Sequence, residues 1–119
     1  MKRVRVAPFR KDGITGVGVE IYRGEEKNLV LEFIGSYYFG ECSRQETVQA
    51  YVREILKQLE ADEEAIVVIC DGYLRYKMAW IRIYPNRLMF RFKRNRPYES
   101  CYMLAQDAWH RKSTITEEL

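Results

Sequence analysis

Eight of the chain's 20 Lys and Arg residues fall between Gly72 and Tyr98, and none of its 17 Asp and Glu residues does. The eight are Arg75, Lys77, Arg82, Arg87, Arg91, Lys93, Arg94 and Arg96. Rings are interleaved with them at Tyr73, Tyr76, Trp80, Tyr84, Phe90, Phe92 and Tyr98. Twelve basic residues against 17 acidic ones remain elsewhere, so a net charge of only +3 hides one strongly basic segment. The chemistry this favours is recognition of a polyanion. Ammonium and guanidinium groups neutralise phosphates whatever the base sequence, and flat rings stack on unpaired bases. The same pattern also describes a solvated basic face whose rings belong to the core.

Other chemistries find little material. Cys42, Cys70 and Cys101 are odd in number, far apart and without CxxC spacing, and His110 is the only histidine. A disulfide scaffold or a zinc site is not expected, and a reducing, cytoplasmic setting fits better. His110 lies in a helical, basic stretch beside Arg111 and Lys112, which fits a surface role rather than a general base. At 119 residues the chain reads as one domain, residues 1–112, followed by a polar tail, 113–119, expected to fray. No run of about 18 apolar residues offers a membrane span, and Met1–Lys11 lacks the apolar stretch of a signal peptide.

The elements that must position these residues follow from periodicity. Arg3–Phe9, Val17–Tyr22 and Asn28–Phe39 read as three successive strands joined by turns at Lys11-Asp12-Gly13 and Arg23-Gly24-Glu25-Glu26, hence an antiparallel meander. Gly35 marks a candidate bulge in the third. Ser43-Arg44-Gln45-Glu46 matches a capping box, and Val48, Val52, Ile55 and Leu59 continue at helical spacing. Ala65–Cys70 is an unbroken apolar run, the pattern of a central strand buried on both faces. It stops at Asp71-Gly72, either a simple turn or a ligand position at the carboxyl end of a sheet strand. Residues 73–84 fit a helix or one arm of a hairpin. Leu88, Phe90 and Phe92 alternate with Met89, Arg91 and Lys93 as a further strand. A last helix runs from Tyr98 to about Arg111, with Cys101, Leu104, Ala105 and Ala108 as its buried stripe.

In this order the chain resembles the ribonuclease H-like superfamily over roughly Arg3 to Arg111. The second strand, Gly18-Val19-Glu20-Ile21-Tyr22-Arg23-Gly24, is similar to that family's Gly-x-x-x-x-x-Gly ending. Ser43–Leu59 is similar to its first helix, with a Glu near the start. Ile69-Cys70-Asp71-Gly72-Tyr73 resembles its fourth strand, which ends in a catalytic Asp. Phe92-Lys93-Arg94-Asn95, Pro97 and Glu99-Ser100-Cys101-Tyr102-Met103-Leu104-Ala105 resemble its last strand, loop and closing helix. The resemblance implies an α/β fold with a five-stranded mixed sheet, three antiparallel strands and then α-β-α-β-α. It also implies two-metal phosphodiester cleavage, in which four carboxylates hold two Mg²⁺ ions about 3.5–4 Å apart.

Carried over residue by residue, Glu46 and Asp71 match two of the four carboxylates. Ala7-Pro8-Phe9 stands where the first strand should carry an Asp, and Tyr102 where the closing helix should. Asp12, Glu20 and Asp107 are the acids available to compensate. A turn explains Asp12, and Glu20 and Asp107 are expected to face solvent. Glu46 is equally explained by capping alone.

Three functions remain in view. The first is a nucleic-acid-binding ribonuclease H-like domain with lost or much reduced cleavage, its partner RNA, DNA or a hybrid. It would hold the phosphates with the eight basic residues, helped by Lys2, Arg3, Arg5, Arg10 and Lys11. The second is an active divergent nuclease, which would need Mg²⁺ on Glu46, Asp71 and one of Asp12, Glu20 or Asp107. The third is an assembly module that binds a protein partner, or a second copy of the chain, through the basic aromatic face or the long third strand.

Overall fold

The computed structural model describes residues 1–25, 27–70, 87–93 and 97–119. Lys2–Lys11 (β1) and Ile14–Arg23 (β2) form a hairpin in which Lys11 pairs with Ile14. Asp12 and Gly13 between them have φ of 56° and 73°. Two-residue hairpins need this left-handed geometry, and Gly and Asp enter it more readily than most residues. Val30–Glu41 (β3) adds antiparallel to β2 and completes the meander.

Arg44–Lys57 (α1) starts at the capping box read from the sequence. The Glu46 N–H donates to the Ser43 hydroxyl at 3.1 Å, and the Ser43 N–H donates to the Glu46 carboxylate at 3.0 Å. Val48, Tyr51, Val52 and Ile55 are fully buried against one face of the sheet, where Val4, Val6, Val17 and Val19 point. Ala65–Ile69 (β4) lies between β1 and Leu88–Phe92 (β5), parallel to both, as its apolar run predicts. Glu99–Arg111 (α2) packs on the other face, chiefly over β2. No helix among the described residues is long and apolar enough to cross a membrane.

Three expectations are corrected. Among the described residues the sheet has six strands, ordered β5-β4-β1-β2-β3-β6, and not five. The sixth, Ile115–Glu118 (β6), occupies the tail expected to fray. It pairs antiparallel with β3 and is tied on by the Tyr38 N–H donating to the Thr114 hydroxyl at 2.9 Å. All four of its side chains are exposed, so the backbone ladder and that one hydroxyl hold it and no apolar alternation announces it. The bulges of β3 lie at Glu32 and Phe39, each skipped in the pairing with β2, and not at Gly35. Gly35 is small because the Tyr37 ring lies over it. The segment 73–84, helix or hairpin, lies outside the described residues.

Candidate nucleic-acid interface

The two faces of β2 differ by one residue of register. Val17, Val19 and Ile21 face α1, and Gly16, Gly18, Glu20 and Tyr22 face α2. A Cβ on Gly18 would run into the backbone carbonyl of Cys101, and one on Gly16 into that of Ala105. The helix therefore rests directly on the strand, and its own buried residues, Cys101, Ala105 and Ala108, are small. The Cys101 thiol donates to the carbonyls of Gly18 at 3.0 Å and Arg5 at 3.3 Å. Burial and then the nearby Glu20 charge push its pKa well above the ordinary thiol value.

This docking brings together a set of side chains that the sequence keeps apart. Arg5, on β1, has its guanidinium 4.0 Å from the centre of the Tyr98 ring and 4.7 Å from that of Tyr22. Lys93, just past β5, places its ammonium 3.9 Å from the Tyr98 ring. Ring and cation thus alternate from Tyr22 through Arg5 and Tyr98 to Lys93, across β2, β1 and the start of α2. Cation–π attraction holds the cations in place and leaves in-plane guanidinium N–H groups for an acceptor. Burial and then Glu20 raise the Tyr22 pKa.

Glu20 is the largest departure from the sequence reading. It was expected in solvent but is 3% exposed, beneath the first turn of α2. One carboxylate oxygen accepts from the Ser100 hydroxyl at 2.8 Å, and the other has no hydrogen-bond partner among the described residues. The reason is tertiary. The glycines let α2 close over this face, and Glu20 lies beneath the same helix.

The remaining expected site residues do not converge. Glu46 is exposed and its carboxylate is engaged at the helix start, where bonds from the Ser43 backbone and hydroxyl lower its pKa. Asp12 is exposed in the hairpin turn and Asp107 is exposed on α2. Arg91 is exposed on β5. Arg87 has a structural task instead: its guanidinium donates to the carbonyls of Glu60 and Glu63 and pins the loop between α1 and β4. Asp71, Arg75, Lys77, Arg82, Arg94 and Arg96 lie outside the described residues. Among the described residues no three acidic, histidine or cysteine groups stand close enough to hold a metal ion. They do not fit a two-ion Mg²⁺ site.

No protein-family model matches the sequence, and no curated protein does. Among solved structures, the chain is similar to LC11-RNase H1, crystallised in complex with an RNA/DNA hybrid. The TM-score is 0.56 at 18% identity, over 94% of this chain and 99% of that one. The fold is ribonuclease H-like. In the stretch Ala7-Pro8-Phe9, where the resemblance calls for a first-strand Asp, Ala7 is 1% exposed. Tyr102, where the resemblance calls for a closing-helix Asp, packs edge-on against Phe9, with ring centres 5.7 Å apart. Tyr98 and Lys93 belong to the basic, aromatic segment 72–98, Arg5 enters the sequence argument only as a helper to it, and Tyr22 and Ser100 lie outside it. The available signal was the Gly16, Gly18 alternation on β2, which marks close approach of another backbone.

Proposed function

We propose that this protein is a nucleic-acid-binding ribonuclease H-like domain with lost or much reduced nuclease activity. The observation that carries the reading is the alternating series Tyr22–Arg5–Tyr98–Lys93, with Arg91 exposed on β5 two residues before Lys93. It combines fixed cations for phosphates with aromatic rings for bases on one side of the sheet. The loss of cleavage is supported by Ala7-Pro8-Phe9 and Tyr102 standing where the resemblance calls for acids and by the capping duty of Glu46. Two carboxylates at most, Glu46 and Asp71, would remain for metal, too few to fix two ions.

Fluorescence anisotropy with RNA, DNA and hybrid tests the binding. Affinity is expected at low salt, falling steeply as salt rises, and abolished when Arg91, Lys93 and Arg94 are all changed to Glu. No affinity for any of the three would remove the reading. A cleavage assay on hybrid with Mg²⁺ and with Mn²⁺ tests the chemistry. Cleavage that vanishes in Asp71→Asn would instead establish the divergent nuclease, with Asp12, Glu20 or Asp107 as the missing ligand. Salt-insensitive capture of a protein partner, without nucleic-acid affinity, would favour the assembly module.

A further inference from the structure

We propose that the seam between β1 and α2 is a track for single-stranded nucleic acid, with Trp109, Lys11 and Lys112 holding the end of the strand opposite Arg5, Tyr98 and Lys93. The inference rests on the nucleic-acid reading above and extends it to a second cluster outside the Gly72–Tyr98 segment.

Tyr98, Tyr102 and Trp109 are spaced four and seven residues apart, one stripe along α2. The stripe faces β1. Phe9 meets Tyr102 at 5.7 Å and Trp109 at 6.0 Å between ring centres, edge-on to both. The Trp109 indole N–H donates to the Lys11 carbonyl at 3.1 Å, which sets the orientation of the ring. Over that ring lie two ammonium groups, Lys112 at 3.5 Å and Lys11 at 5.6 Å from the ring centre. Both lysines are exposed, and neither forms an ion pair among the described residues. Exposed Asp12 and Asp107 are close to them in sequence, yet the lysines are held by the rings.

Lys112 is informative for another reason. It ends α2 in the left-handed conformation, with φ of 61°. Glycine takes that position at far lower cost. What a lysine adds there is a cation fixed over Trp109.

The spacing of the two clusters favours a strand of definite length. From Tyr98 to Trp109, α2 rises about 16 Å at roughly 1.5 Å per residue. Nucleotides stacked about 3.4 Å apart would cover that distance in about five steps. Rings serve bases that are not already paired, so the track suits a single strand better than a duplex.

Labelled oligo-dT and oligo-U strands of about three and about eight nucleotides, and a hybrid duplex, provide the probes. The longer strand should bind more tightly than the shorter one. Trp109→Ala should weaken the longer strand about ten- to hundredfold and leave the shorter one nearly unchanged. The Lys11→Gln, Lys112→Gln double variant removes no core side chain and decides the matter even where Trp109→Ala is unstable. It should reduce the slope of log affinity against log salt by about 1.4 for the longer strand, at roughly 0.7 per phosphate. An unchanged slope, equal losses at both lengths, or tighter binding of the duplex would overturn the track. The nucleic-acid reading would survive those results if Arg91→Glu, Lys93→Glu and Arg94→Glu together still abolished binding. Absence of all binding by the unaltered protein would overturn both.

Discussion

The two faces of this sheet are built on opposite principles. Under α1, branched aliphatic side chains from β1, β2 and β4 interlock with Val48, Tyr51, Val52 and Ile55, and the helix stands off the strands by the depth of that layer. Under α2 that layer is missing. Gly16 and Gly18 meet the helix backbone itself, the buried helix residues are Cys101, Ala105 and Ala108, and a carboxylate, Glu20, is enclosed with them. The first face derives stability from apolar area, which tolerates modest changes of shape. The second leaves no room, and it fixes polar and charged groups at its margin. The ring–cation series lies there, at the edge of the tightly docked helix. A rigid seam holds such groups in place better than a deformable core would.

Each side of that contrast is open to measurement. Ile55→Ala should be the most damaging change on the α1 face, at about 2–5 kcal/mol, because it empties a fully buried position. Urea unfolding reads this directly. Gly18→Ala adds one methyl group to the α2 face and should cost about 3 kcal/mol, since the opposing atom is a backbone carbonyl that no rotamer change can move. If that variant were as stable as the unaltered protein, the two faces would not differ as described. Ser43→Ala should cost about 1 kcal/mol by removing the cap of α1. No such loss is expected at Tyr98, which begins α2 without a side-chain cap.

The smallest effects are in the pH dependence, and the two faces should respond at opposite ends of the scale. Folding lowers the Glu46 pKa from the ordinary 4.5. Its contribution is complete above that value and disappears as pH falls through the folded pKa. Folding raises the Cys101 pKa from the ordinary 9.0. Its contribution is complete below that value and is lost progressively as pH climbs past it. Stability measured against pH should therefore lose part of its acid slope in Glu46→Ala and part of its alkaline slope in Cys101→Ala. The reverse assignment of slopes would show that the two environments have been confused. Ellman's reagent gives a companion test. Cys42 and Cys70, both partly exposed, should react in the folded protein while Cys101 does not.

Much of the α1 half was legible in the residues alone. A capping box is a local hydrogen-bond pattern, helical and strand spacings are fixed by backbone geometry, and Ala65–Ile69 had to be interior because both of its faces are apolar. The order of elements followed from these and pointed to the ribonuclease H-like fold. The Asp12-Gly13 turn was legible for the same reason, since left-handed φ selects its residues. The α2 half was decided by docking. Glu20 and Ser100 are 80 positions apart, and Cys101 and Arg5 are 96 apart. No periodicity within either segment records that they meet. Burial of Glu20 depends on how closely a helix can approach a strand, and the only local trace of that is a pair of glycines. The strand Ile115–Glu118 depends likewise on the open edge of β3, because its own four side chains bury nothing. Ile115–Glu118 apart, the sequence by itself determined which of the described segments are strands and helices, since those preferences act between near neighbours. The tertiary structure alone decided which charges lie beside which rings, since that is set by the packing of elements distant in the chain.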